Sequence, residues 1–564
     1  LTRDENRMQL PIQGRQWSWE AGWDIYAMSQ YNTITSLGES PLNEDLVYVG
    51  TDDGLIQVTE DGGDTWRRLE VGRLPGVPDT AFVNDIRADL FDEDTVYIAL
   101  DNHKYGDFKP YLLKSTNRGR SWRSISSNLE DRYLVWRIVQ DHENPNLLFT
   151  ATEFGLFFSL DGGGKWVELT GNAPTISYRD VTIQRRENDL VAASFGRGFF
   201  IVDDISPLRA LTEESLNQEA MLFPGRKALW YIEQTTLAFG EGGSQGHGYY
   251  RAPNPPFGAN FTYYLAQDIP SLKDQRLERE KPLIEAGDDT PFPSFDAITA
   301  ELQETEPAIW LTVRDSDGSV VRRLKGPAKA GFHRVNWDLR FPDTGSVALG
   351  DNAEGEPSGY LVSPGTYTVS LSKRVRGVTT ELVGPQTFEV ERLRDGALPA
   401  QPDASEFWAE VSAFDRSVTA VSQTIGGLDE KISLLGLATQ RALGDNPDTL
   451  DTRLQTIQTE ANALKELVNG NPARNAIYER TQPTIRSRLG FVQTGVGRST
   501  YGPTKTHRDQ LAIAQSEFGA IEQRLSVLVE TTIPAFEAAL SEAGAPWVPG
   551  STLPLKSKSI CEGQ

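Results

Sequence analysis

"TEDGGDTW" at residues 59–66 decides how the first third of the chain is read. It returns as "STNRGRSW" (115–122) and "SLDGGGKW" (159–166), with a Ser or Thr, an Asp or Asn, a Gly and a closing Trp at the same offsets. A tight strand-to-strand turn needs positive φ, which glycines such as Gly62 and Gly63 supply without steric cost. Asp61 can fold its carboxylate back on the turn amides, as Asx turns do, and Thr59 and Thr65 can add hydroxyl bonds. Asn117 offers the same acceptor, and Lys165 in place of Thr65 marks a loose position. The boxes Asp61, Gly63, Trp66; Asn117, Gly119, Trp122; and Asp161, Gly163, Trp166 therefore read as turn-makers, with each Trp starting the next strand and packing on the neighbouring unit.

More than the box repeats. An apolar strand, a turn and a second strand precede each copy, as in "ITSLGESPLNEDLVYVGTDDGLIQV" and "VWRIVQDHENPNLLFTATEFGLFFS". A fourth copy, "YRDVTIQRRENDLVAASFGRGFFIVDD" (178–204), has the strands without the box. Four short antiparallel strands in each period of roughly 40 to 50 residues predict propeller blades over 32–205.

The three strings resemble Asp-boxes, the bacterial neuraminidase repeat of sialidases, xyloglucanases and sortilin-like propellers. "SFGRGFFIVDD" is similar to the end of sortilin-like bacterial propellers. "LFPGRKALWYI", "APNPPFGANFTYYL" and "AGFHRVNWDLR" resemble the C-terminal half of large secreted bacterial proteins labelled as glycosyl hydrolases. The resemblance implies a secreted, periplasmic or cell-surface bacterial protein. It also implies more than four blades, so a partner chain or missing N-terminal blades are expected to complete the propeller, because open blades leave bare edges and apolar faces.

Composition sets the outer limits. The 564 residues carry a formal net charge of −24, which argues against nucleic acid or an anionic membrane as main partner. Cys561 is the one cysteine, so no intrachain disulfide framework exists. No apolar run reaches membrane-spanning length. The start "LTRDENRMQL" reads as a processed or truncated end.

Beyond the propeller the expected class is mainly β with an α-helical C-terminal domain. An aromatic lead-in occupies 1–31 and a connector 206–255. Alternating strands over 256–395 read as an Ig-like β-sandwich with a charged insertion, 268–305, that contains a short solvated helix in "KDQRLEREKPLIEAG". From Ser405 the period becomes helical. Phe407 to Leu435, Leu450 to Leu464, and Leu511, Phe518, Ile521, Leu525, Leu528, Thr532 and Ala535 form three stripes, predicting an antiparallel bundle over 403–547. Residues 469–505 are expected to cap it, and 548–564 to form a tail.

Propeller ligands meet the face carrying the turns between second and third strands. Those turns hold Asp52, Asp53, Asp101, His103, Glu153 and Arg197, the candidate ligand-binding residues. A glycosidase needs two facing carboxylates or a tyrosine nucleophile with an acidic partner; Asp52 or Asp53 with Glu153 is a candidate pair, and no motif fixes such a set. Trp17, Trp19, Trp23, Tyr26 and Tyr31 offer sugar-stacking surfaces or simple packing. Five scattered histidines lack zinc spacing, and "DSDGS" (315–319) reads as a hairpin rather than a calcium loop. No metal or cofactor is expected. The leading expectation is an interaction protein for protein, peptide or glycan; the alternative is a glycoside hydrolase acting at the propeller channel.

Overall fold

The computed structural model describes residues 1–11, 14–16, 31–212, 214–233, 252–343, 345, 358–393, 404–443 and 447–551. Trp17, Trp19, Trp23, Tyr26 and the tail beyond Ser551 lie outside them. The chain forms two units, Leu1–Arg226 with Thr262–Pro270 and Ala328–His333, and Lys227–Phe261 with Ser271–Pro327 and Arg334–Gln564.

The first unit is built from four consecutive antiparallel meanders. The first runs β1 (Ile34–Glu39), β2 (Val47–Thr51), β3 (Leu55–Thr59) and β4 (Arg67–Glu70). The second is β5 (Phe82–Ala88), β6 (Val96–Asn102), β7 (Asp107–Ser115) and β8 (Arg123–Ser124). The third is β9 (Val135–Gln140), β10 (Leu148–Thr152), β11 (Gly155–Ser159) and β12 (Val167–Glu168). The fourth has three strands, β13 (Tyr178–Gln184), β14 (Asp189–Ser194) and β15 (Phe199–Val202).

Side-chain alternation explains how the sheets stack. In β6, Val96, Ile98 and Leu100 join Tyr48, Ile56 and Val58 in one apolar cluster, while Tyr97 and Ala99 join Val135, Leu148 and Phe157 in the next. A strand buried on both faces reads as a continuous apolar run, and its two faces serve different neighbours. A third cluster joins Phe149 and Leu156 to Tyr178, Val181 and Leu190. Each interval between successive sheets thus has its own core, which is the propeller-type arrangement. Among the described residues no strand of the first sheet packs extensively on the fourth.

A second repeated device closes the loops between first and second strands. Asp89 Oδ1 accepts from the amides of Phe91 and Asp92, and Asp141 Oδ1 from those of Glu143 and Asn144. Asp141 is fully buried, and Arg209 from the turn Ser206–Ala210 donates to both its oxygens at 2.9 Å.

In the second unit, strands Ala228–Trp230, Val378–Arg392, Gly365–Val375, Ala308–Arg314 and Val320–Gly326 form a five-stranded sheet in that order. Trp337 packs edge-on against Tyr367 and Phe388, with centroids at 5.6 and 6.1 Å. The charged insertion carries two helices where one was expected, Leu272–Ala286 and Phe295–Gln303, started by Ser271 and Ser294 caps. Arg276 bridges Glu280 and Glu301 between them.

The helices Ala404–Thr439, Pro447–Asn469 and Lys505–Ser526 follow the predicted stripes. Two features differ. Within 469–505, expected as a cap, Ile485–Gly497 is a helix that sends Ile485, Leu489, Val492 and Val496 into the same core. The last stripe also shifts: Ala535 is exposed and Thr532 half-buried, while Ile533, Phe536 and Leu540 are buried. A π-helical stretch, Val527–Thr532, adds one residue to the turn and advances the apolar face by one position. Pro534, which lacks an N–H, lies two residues beyond it.

Candidate functional site

The Trp-ended turns are held together by their own side chains. Thr59 Oγ1 donates to Asp61, and Asp61 accepts from the Thr65 amide at 2.9 Å and its hydroxyl at 2.5 Å. The Gly63 amide donates to Thr59, while Gly62 and Gly63 have φ of 68° and 107°. Asn117 and Asp161 make the corresponding bonds, to Ser115 and Ser121, and to Ser159, Gly164 and Lys165. Trp66 and Trp122 turn their indole N–H back to the carbonyls of Gly63 and Gly119; Trp166 reaches across to Ile125. Strands β4, β8 and β12 each begin one residue after the Trp. Bonds from Thr65 and Thr59 hold the Asp61 carboxyl down at about 2. Its contribution to stability is therefore complete above an unfolded value of about 3.9 and disappears as pH falls through about 2. Asp61→Ala should lower the thermal midpoint of the first unit by only a few degrees at pH 7, and the difference from wild type should close on acidification.

The more informative feature is a bulge in the first strand of each of the four meanders. Pairing skips one residue between Ile34 and Ser36, Val83 and Asp85, Val135 and Arg137, and Tyr178 and Asp180. The extra residues are Thr35, Asn84, Trp136 and Arg179. A bulge re-aims its side chain away from the ladder, and bulges concentrate beside functional sites. Thr35 and Asn84 donate to the carbonyls of Val83 and Val135 on the following sheet. Trp136 and Arg179 instead meet each other: the guanidinium lies 3.6 Å from the indole centroid and 4.9 Å from that of Phe195.

Three of the predicted site residues join this pair. His103 packs edge-on to Trp136 at 5.7 Å, and its Nδ1 bonds Asp101. Glu153 accepts from the Trp136 indole and from Ser177, both at 2.9 Å, and stands 3.9 Å from Arg179. Burial lowers the affinity of Arg179 for its proton, against the fields of Glu153 and Asp101. Its Nε is buried and makes no hydrogen bond among the described residues. The group thus brings together two carboxylates, a guanidinium and aromatic surface.

Asp52 and Asp53 belong to a separate group. Asp52 accepts from the Thr33 amide at 2.7 Å, Asp53 from Thr51 and the Arg3 amide. Burial raises the Asp52 carboxyl, opposed by the Thr33 amide, while the Asp53 charge adds to the rise. Burial also raises the Tyr31 hydroxyl, with Tyr105, Glu5 and both aspartates adding to it. Arg197 is exposed at the tip of the β14–β15 hairpin. "DSDGS" is a hairpin in which Asp315 accepts from the amides of Asp317 and Ser319. Among the described residues no cluster of three or more metal-ligating side chains occurs.

Sequence reasoning passed over Trp136, Arg179, Phe195 and Ser177. A signal was present: "TS", "ND", "WR" and "RD" each put two consecutive residues between apolar positions, breaking strict alternation at the bulge.

No family model and no curated protein matches the chain. Among solved structures it is similar to the Niastella koreensis GH74 enzyme, with 14% identity, 31% of this chain and 29% of that one covered, and a TM-score of 0.26. Ycf48 from Cyanidioschyzon merolae shares 18% identity over 30% of this chain and 52% of its own, at a TM-score of 0.24. The Cps50 (Swd1) β-propeller domain from Myceliophteria thermophila shares 12%, over 33% and 55%, at 0.25. The chain spans about half or less of these proteins' lengths. At such scores the propeller-type architecture rests on the four meanders and the clusters between them.

Proposed function

We propose that the first unit is an interaction module whose turn face grips a protein or peptide segment. The observation that carries this reading is the Trp136–Arg179 pair, set by two bulges and flanked by His103, Glu153 and Phe195. A backbone carbonyl or carboxylate suits the Arg179 guanidinium, whose side chain is 39% exposed, and Trp136 and Phe195 supply the aromatic anchors typical of binding hot spots. A glycoside hydrolase has less support, because Asp52, Asp53, Asp101 and Glu153 each take a hydrogen bond from their own chain.

Further sheets from a partner chain or an N-terminal extension complete the propeller in this reading. On β15, Phe199 is 74% and Ile201 58% exposed, a large apolar area for a free surface. In the second sheet Asp85 accepts the Ile138 amide of the sheet that follows; Asp180 is its counterpart in the fourth sheet and stands exposed. A secreted or periplasmic setting belongs to the same proposal and follows only from the resemblance.

Selection of peptides from a random display library against the full chain tests the binding reading, with a glycan array in parallel. Arg179→Ala and Trp136→Ala should each weaken a selected peptide at least tenfold, the loss expected of a hot-spot residue. Selected peptides indifferent to both changes, or glycan hydrolysis by the full chain, would overturn it.

A further inference from the structure

The second unit contains a cleft of about 290 Å³ that none of the sequence motifs announced. Tyr360 and Trp408 wall it, and Arg340, Asp343, Asp415 and Gln493 line it. Trp408 and Asp415 are seven residues apart on the helix Ala404–Thr439, so they lie on one face two turns apart. Each directly follows a core residue, Phe407 or Phe414, at the flank of the buried stripe.

The aromatic wall is braced. Phe341 stacks on Tyr360 with centroids 4.5 Å apart, and Trp408 lies parallel to Tyr360 within 3° at 5.9 Å. Parallel rings in contact are separated by roughly 3.5–4 Å, so the Trp408 ring is displaced sideways and part of its face is not covered by Tyr360. The polar groups are of both kinds. Asp343 and Asp415 accept, Gln493 does both, and the Arg340 guanidinium donates, with one nitrogen bonded to the Gly359 carbonyl at 3.0 Å. Burial pushes the Asp415 carboxyl up, against a hydrogen bond from Gln493; the Asp343 charge adds to the rise and Arg486 opposes it.

This mixture discriminates among ligand classes. An organic cation would gain from two carboxylates but meet the Arg340 charge, and an anion would meet both carboxylates. A neutral polyol can use every group, since each hydroxyl donates and accepts. A pyranose also carries an apolar C–H face suited to an aromatic wall. The volume lies at the lower edge of small-molecule sites, roughly 300–1,000 Å³, which fits one ring. We infer that this cleft binds a single neutral sugar residue, with its C–H face on Trp408 and its hydroxyls on Asp415, Gln493, Asp343 and Arg340. The inference is independent of the reading of the first unit.

Saturation-transfer NMR on the full chain, with the methyl glycosides of glucose, galactose, mannose and N-acetylglucosamine, tests it; choline and methylguanidinium serve as cationic probes. At least one glycoside should bind saturably. Asp415→Asn, which keeps the shape of the side chain, and Gln493→Ala should each weaken it roughly tenfold, the cost of a lost hydrogen bond of about 1.4 kcal/mol. Lys165→Ala, at an exposed turn of the other unit, should leave it unchanged. Absence of binding by all four glycosides, affinity unchanged in both cleft variants, or preferential binding of either cation would overturn the assignment.

Discussion

Replacing Arg209 by Ala should destabilise the first unit by about 3–5 kcal/mol, the cost of stranding one member of a buried ion pair. Asp141 has no exposed surface, and both of its oxygens accept from Arg209 at 2.9 Å. The pair ties the loop after β9 to the turn after the fourth sheet, residues that are 68 positions apart in sequence. Burial by itself pushes the Asp141 carboxyl up, but Arg209 and the Asn144 and Glu143 amides outweigh it, and the net shift is downward. The stabilisation is therefore complete above the unfolded value of about 3.9 and is lost as pH falls through the lower folded value. Chemical denaturation at pH 7 should show the full gap between wild type and Arg209→Ala, and the gap should narrow below about pH 4. Arg209→Lys should fall between them, because an ammonium keeps the charge without the two-pronged geometry. A midpoint for Arg209→Ala equal to wild type at pH 7 would refute the clamp.

A loss of similar size is expected from Gly258→Ala in the second unit. Gly258 has φ of 114°, and a Cβ there would lie 1.9 Å from the carbonyl oxygen of Trp337 and 2.9 Å from its carbon. The obstacle is backbone, and Trp337 is fully buried with its indole bonded to the Arg340 carbonyl, so it cannot retreat. Backbone strain of about 1–3 kcal/mol and overpacking of about 1–3 kcal/mol act together. Because the chain holds two units, a single unfolding free energy is not defined; amide hydrogen exchange resolves them. Protection should fall in strands Ala308–Arg314 and Gly365–Val375 and persist in β6 and β10. Unchanged protection around Trp337 would show that the close approach is not rigid. The contact also explains why "PPFGANF" and "VNWDLR" stood out together: the glycine of one receives the backbone of the other.

What could be read from the sequence was mostly local. The side-chain bonds of Asp61, Asn117 and Asp161 within the Trp-ended turns join residues four positions apart or fewer, so spacing reveals them; the Trp166 bond to Ile125 is long-range and was not legible. The strands of the first unit were legible because two buried faces leave nearly continuous apolar runs. The helical stripes held until Leu528, where the π-helical turn displaced the face by one; Pro534 was the available warning. For the candidate site, His103 and Glu153 lie in turns between second and third strands and Asp101 at the end of β6, but their partners Trp136 and Arg179 come from first strands, which the reading of the turns did not reach. Arg209 with Asp141, and the cleft shared by helix and strand residues, depend on contacts between distant segments that no local pattern encodes.

The bulges carry a consequence for how such a surface changes over time. Thr35, Asn84, Trp136 and Arg179 occupy the same backbone socket in four successive sheets, yet they are a hydroxyl, an amide, an indole and a guanidinium. The ladder on either side of the socket is indifferent to its occupant, since the bulged residue is outside the pairing. A single codon change at Trp136 or Arg179 therefore alters the side chains this end of the sheets presents without touching the ladder, whereas one at Thr35 or Asn84 removes a bond to the next sheet.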